Sequence, residues 1–429
     1  MTQPSWGGGS HVQPPGPNVP GPPEDHGRHG AYGASHYFGD GGSAVVPSRV
    51  DAQFKIGLVL TVLGCLLGAA LLLKSFILDV PEHHRALVFE SMGRATVLAY
   101  LPVALYLFVP YVVDRYDPEP WWALAGVFLW GALFATGVSA IINTEGMVLV
   151  GSVLGDSKAG EFYSLAISAP VFEELFKGLA VFGMLVFLRR EFDGVVDGII
   201  YGTFVAIGFA ATENIIYYHR ADIAETINQR HGALGQIFIL RGVLTPWLHP
   251  LFTSMTGIGF GLARVSNEEW KKVVYPASGY FVAVLLHAWW NGLPTLTASL
   301  AGPKQGAVVQ IANLVVGIGM ALAFFVIVCV LVRQKGRTIR KHLEEEMLIG
   351  TITHEELELI ASWGGQLRAR FSWRGRAGVE FVAAGARLAL SKSHLARAMQ
   401  GRKQTISADF IGPLRQKLKR LRQQMHARR

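Results

Sequence analysis

Charge is scarce in this chain, and cysteine is nearly absent. Asp, Glu, Lys and Arg make up only 16% of the 429 residues, against 51% hydrophobic residues, and the mean hydropathy is +0.32. That balance argues against a soluble globule and for an integral membrane protein. The 2 cysteines, Cys65 and Cys329, both fall inside apolar runs. A disulfide framework or a thiolate metal site is therefore not expected, and the two thiols read as small apolar filler. A cleavable secretory signal is not expected either. The first apolar run begins only after roughly fifty polar residues, so it reads as a retained first anchor.

Long apolar runs are what the chain has instead. Eight of them approach the roughly 20 residues that a bilayer demands. They lie near 56–79, 97–114, 121–143, 162–188, 194–218, 235–263, 274–299 and 308–333. The expected fold class is all-α: a polytopic transmembrane helical bundle of about eight spans. Residues 1–48, rich in Gly, Pro, Ser and His, bury too little apolar surface to fold and are expected to be a disordered N-terminal tail. Residues 49–333 form the membrane core, and 334–429 a basic, helical cytoplasmic tail.

The net charge of +8 is concentrated at the ends of the core. Arg333, Lys335, Arg337, Arg340 and Lys341 follow the last run, and Arg49 and Lys55 precede the first. An even number of spans places both termini on one side, and the positive-inside rule makes it the cytoplasmic side of the cell membrane. Arg115, Arg189, Arg190, Arg264, Lys271 and Lys272 agree with that orientation. Arg85, Arg94, Lys158, Arg220, Arg230 and Lys304 oppose it, so the terminal clusters decide.

In the tail, Thr353 and Glu356 have the spacing of a capping box that opens a short helix. His354-Glu355 lacks the second histidine of a zinc-protease helix, because position 358 is Glu. Residues 377–400 read as a basic amphipathic helix. The end, Leu414 to Arg429, is dense in Lys and Arg and suited to anionic lipid, at about 1 kcal/mol per basic residue near the surface. Nucleic acid is not an expected partner of a membrane-tethered tail.

Four patterns inside apolar runs point to chemistry. They are Glu173-Glu174-x-x-Lys177, Phe209-x-x-x-Glu213, His249-x-x-x-Thr253 and His287-x-x-x-Asn291. A charge at the bilayer centre is penalised by at least about 2.5–3.5 kcal/mol, so side chains like these mark a polar chamber rather than packing. Pro170 suits the first turn of a helix with Ser168 as its N-cap, which would break the fourth span at 168–170 and put both carboxylates in the early turns. Lys177 lies one turn from either Glu. Pro246 and Pro250 frame His249 and should kink the sixth span, and broken backbone at membrane depth is tolerated only where protein buries it or it lines a wet cavity. His287 and Asn291, at i and i+4, share a helix face. Counted along the spans at about 1.5 Å per residue, all of these groups reach the middle-to-outer half of the bilayer.

Taken in order, the four patterns resemble the PrsW family of intramembrane proteases, a branch of the superfamily that holds the CAAX-prenyl endopeptidases. The resemblance covers roughly residues 95–300 and includes the stretch Asp114-Arg115-Tyr116-Asp117-Pro118-Glu119-Pro120-Trp121. Lys177 and Glu213 stand where the prenyl-endopeptidase branch has Arg and His, which favours the PrsW-like branch. The resemblance implies hydrolysis of peptide bonds in membrane-anchored proteins, with anti-sigma factors as the family's best-known substrates. It implies that Glu173 or Glu174 activates water and His249 helps orient it. His287 and Asn291 would stabilise the oxyanion, and Lys177 would hold the carboxylate pair, with Phe209, Glu213 and Thr253 in support. Zinc is the cofactor to consider: by residue type, His249, His287 and a carboxylate such as Glu213 can hold it with one position open. The same residues can equally form a metal-free acid–base site. A proton- or ion-coupled transporter would also gather polar groups, but the internal repeats common in transporters are not evident. A non-catalytic membrane scaffold on the same fold is the third reading.

Overall fold

The computed structural model describes residues 49–78, 80–189, 191–228, 231–371, 375–401 and 407–427. The disordered tail expected over 1–48 lies outside those residues. All regular structure among them is helical, as a bilayer demands of a chain that does not close into a barrel, because a helix satisfies its own backbone groups.

Six helical segments among the described residues are long and apolar enough to cross a membrane: Ala52–Phe76, Glu82–Val113, Trp121–Leu154, Val195–Ile227, Lys271–Ala301 and Pro303–Leu348. The chain is a multi-pass membrane protein. Two of the eight expected spans, 162–188 and 235–263, do not qualify, for a physical reason. The first carries Glu173, Glu174 and Lys177 within five residues. The second is interrupted. These two polar, irregular segments carry Glu173, Glu174, Lys177, His249 and Thr253.

Helix α1 (Arg49–Leu73) exposes apolar side chains such as Leu58, Leu63 and Leu66, a surface suited to lipid. Helices α2 (Arg85–Tyr100) and α3 (Val103–Val113) follow. Helix α4 (Trp121–Leu129) passes through a π-helical turn, Trp130–Ala135, into α5 (Thr136–Leu154). Next come α6 (Ser157–Tyr163), a further π turn at Ser164–Ser168, and α7 (Ala169–Phe187). The break expected at 168–170 is absent. Ser168 has helical dihedrals and makes no cap bond, and the π turn keeps the helix continuous into Pro170.

Helix α8 (Val195–Asn228) is the axis of the bundle, with α2, α4, α7 and α10 packed on it. Its apolar window is 83% buried, against 6% for the first span. Helix α9 (Ala233–Phe238) runs into a π turn, Ile239–Leu244. The chain leaves helical geometry near Thr245 and restarts as α10 (Leu248–Val265), with Pro250 in its first turn. The interruption expected beside His249 is therefore present. Helices α8 and α10 touch backbone to backbone: a Cβ on Gly198 would lie 2.1 Å from the Gly257 carbonyl oxygen. Small residues permit that approach in place of the hydrophobic effect, which is weak between helices in lipid.

Helix α11 (Lys271–Ala301) lies against α10. Helix α12 (Pro303–Leu348) has 46 residues. At about 1.5 Å per residue it extends roughly 70 Å, well beyond a hydrocarbon core of about 30 Å. Its far end joins α13 (His354–Ala361), α14 (Trp363–Phe371), α15 (Gly375–Gln400) and α16 (Ser407–Ala427) around a core that includes Ile339, Leu343, Ile360, Phe381, Leu388 and Leu418. Both halves of the Thr353–Glu356 capping box are made. The loop at 114–120 joins these helices to the membrane core. Tyr116 donates its hydroxyl to the Ala361 carbonyl at 3.0 Å. Arg115 stacks 3.8 Å over the Trp363 ring, and Arg387 Nε donates to Asp117 Oδ1 at 3.0 Å.

Candidate active site

Glu173 and Glu174 occupy the start of α7, both buried. Consecutive helical residues diverge by about 100°, and the two carboxylates accordingly meet different neighbours. Glu174 is saturated. Lys177 Nζ donates to its Oε1 at 2.5 Å, Thr253 Oγ1 donates to its Oε2 at 2.8 Å, and His287 Nδ1 lies 3.1 Å from Oε1. An ionised carboxylate only accepts, so His287 donates through Nδ1 and keeps its Nε2 lone pair free.

Glu173 is held by one oxygen only. Asn143 Nδ2, from α5, donates to its Oε1 at 3.2 Å. Oε2 is buried without a hydrogen-bond partner and lies 3.8 Å from His287 Nε2. A buried polar atom with no partner is rare and needs a reason. Here the orphaned oxygen and the free imidazole nitrogen face each other.

His249, at the restart of α10, is engaged on both ring nitrogens. Nδ1 accepts from Lys177 Nζ at 3.2 Å, since an ammonium can only donate. Nε2 therefore donates to Glu213 Oε2 at 3.0 Å. Glu213 also accepts from Arg241 Nη2. Arg241 comes from the π turn ahead of the break, bonds Asn214 Oδ1 through Nε at 2.6 Å, and stacks 3.8 Å over Tyr217. The Phe209 ring lies 4.3 Å from Lys177 Nζ, a cation–π contact, and 5.3 Å from the His249 ring. The two histidine rings lie edge to face with centroids 5.2 Å apart.

Eight of the nine residues singled out in the sequence thus stand in one connected group. Asn291 is the exception. It follows His287 by one turn and is half-buried; its backbone carbonyl accepts from Thr295 Oγ1, and among the described residues its side chain bonds none of the group. Further residues of the group include Asn143, Ser168, Asn214 and Arg241. The signal that finds them is the one that found the others, a polar side chain inside an apolar run.

One atom each from Glu173, His249 and His287 lies within 4.8 Å of the others, which makes them a candidate metal set. The carboxylate in it is Glu173, where the sequence reading put Glu213. The difference has a cause: Arg241 and His249 hold Glu213, whereas Glu173 keeps an oxygen free. The donor set fits a metal ion, with His249 joining by exchanging one of its two present partners.

The fold and the site define a polytopic membrane protein with a buried carboxylate–histidine centre. Residues 119–331 match the family model described as PrsW family intramembrane metalloprotease. Protease PrsW of Geobacillus kaustophilus is 30% identical over 186 residues, covering 43% of this chain and 72% of that one. Protease PrsW of Clostridioides difficile is 28% identical over 191 residues, covering 44% and 75%, and that of Bacillus subtilis is 28% identical over 177 residues, covering 41% and 72%. No solved structure matches the chain significantly. The chain belongs to the PrsW family and is a membrane protease.

Proposed function

We propose that the protein is an intramembrane endopeptidase that hydrolyses peptide bonds of membrane-anchored proteins, with Glu173 rather than Glu174 activating the water. The observation that carries this is the contrast between the neighbours. Every oxygen of Glu174 is occupied by Lys177, Thr253 or His287, whereas Glu173 Oε2 is free and faces a free imidazole nitrogen. A water held between those two atoms can lose its proton to Glu173, and His287 can donate to the oxyanion once it carries that proton. Glu174 fixes the His287 tautomer and neutralises Lys177. Arg241 and Glu213 orient His249.

Zinc is a second use of the same residues, supported by the convergence of Glu173, His249 and His287. A bound ion would supply Lewis acidity and a water of lowered pKa. Substrates of the regulatory kind, such as anti-sigma factors, are supported by family resemblance. The basic run from Arg333 to Lys341 supports a cytoplasmic location for the C-terminal helices in the cell membrane. Lys419 and Arg420, exposed on α16, support contact with anionic lipid.

The test is cleavage of candidate single-span membrane proteins in cells lacking the gene, complemented with wild type, Glu173→Gln or His287→Ala at matched abundance. A fragment that forms with wild type and falls by about 10²–10⁴-fold with either variant is expected. Identical fragments in all strains would refute the reading for those substrates. A chelator series on purified protein, with zinc restored, separates the metal site from the metal-free one.

A further inference from the structure

The free oxygen of Glu173 depends on how the other one is held. Asn143 lies on α5, and each end of its amide meets a different partner. Nδ2 donates to Glu173 Oε1 at 3.2 Å, and Oδ1 accepts from Ser168 Oγ at 2.7 Å. Ser168 is fully buried and closes the π turn that immediately precedes α7. The same turn holds the backbone of Asn143, because Ser164 Oγ donates to its carbonyl at 3.2 Å. The bonds from Ser168 through Asn143 to Glu173 all point one way, an arrangement in which each bond strengthens the next. A reversed amide would turn its carbonyl toward the carboxylate and repel it. π-Helical turns recur at functional sites, and this one places two serines against one asparagine.

A plain staple between helices would have saturated the carboxylate, as Lys177 and Thr253 saturate Glu174. The geometry at Glu173 is different: one oxygen is gripped and the other is left bare beside His287. We propose that Asn143, locked in its amide orientation by Ser168, is the positioning residue that presents Glu173 Oε2 to the site. The consequence for turnover rests on the reading of Glu173 as the water-activating group; the hydrogen-bond assignment does not.

Two measurements on the full-length purified protein test it. The first is infrared spectroscopy, in which the difference between wild type and Glu173→Gln isolates the Glu173 carboxyl bands. Asn143→Ala should shift those bands. Ser168→Ala should shift them less, and not at all when added to Asn143→Ala. The second is turnover of the single-span substrate that wild type cleaves. Asn143→Ala should lower kcat by about 10–100-fold, as loss of an orienting partner does, with KM unchanged. Ser168→Ala should lower kcat less, with no further loss in the Asn143→Ala background. Unmoved bands overturn the proposal whatever the turnover. Additive losses of turnover in the double variant also overturn it, since they denote two independent effects. Bands that move in a protein that cleaves nothing leave the clamp standing and refute the protease reading instead.

Discussion

The two adjacent carboxylates separate by what each would leave behind. Glu174→Gln removes the anion from a pair with no exposed surface on either side chain, stranding the Lys177 ammonium. Breaking such a buried pair is destabilising by about 3–5 kcal/mol, so this variant should denature at a markedly lower temperature in detergent. Glu173→Gln removes a carboxylate that makes one neutral hydrogen bond and should keep the wild-type midpoint. The reverse ranking would exchange the two roles. At this scale the sequence was informative about residue type. An ionisable group inside an apolar run is conspicuous in one dimension, which brought out Glu173, Glu174, Lys177, Glu213, His249 and His287. Asn143 and Arg241 carry the same signal but belong to no spaced pattern. Only their partners, Glu173 and Glu213, mark them.

Elements place these residues through irregularity. Two π turns, Ser164–Ser168 and Ile239–Leu244, sit directly ahead of the carboxylates and of His249. Both lie in the two runs that fail as uniform spans, the first through its three charges and the second through the break after Leu244. Prolines 246 and 250 announced the second interruption, because proline lacks the N–H that a helix interior requires. The first carries no such marker: proline at a first turn is compatible with a continuous helix, which is why a break at 168–170 was the wrong expectation. The site also depends on α8 reaching α10, since Phe209 and Glu213 come from one and His249 and Thr253 from the other. Gly198→Val fills the point where a Cβ would meet the Gly257 carbonyl at 2.1 Å. Overpacking of that kind is destabilising by about 1–3 kcal/mol or more. The variant should lose folded protein in fluorescence-detected gel filtration, whereas Gly319→Val on α12, with open space around it, should not.

The whole molecule couples the membrane core to the C-terminal helices. The matched family region ends at residue 331, yet α12 continues without a break into the helices beyond it. The loop at 114–120 faces both ways. Tyr116 and Arg115 hold the Ala361–Trp363 corner, and Glu119 accepts from Tyr201 on α8. Tyr116→Phe leaves the Ala361 carbonyl without its donor in a buried place, at a loss of about 1–3 kcal/mol. Limited proteolysis should then cut the C-terminal helices faster while the membrane core stays intact. Equal rates would show that the corner is held without Tyr116.

The sequence by itself determined that this chain spans a membrane, that it does so as helices, and which residue types gather inside. Those outcomes follow from transfer free energies that depend on side-chain type and run length, and both can be read along the chain. Tertiary structure alone decided which glutamate is saturated and which keeps a bare oxygen. Glu173 takes its grip from a residue 30 positions away, and Glu174 takes its imidazole from one 113 positions away. Hydrogen-bond satisfaction is a property of neighbours in space, and two identical carboxylates side by side in sequence acquire different chemistry only when the helices close around them.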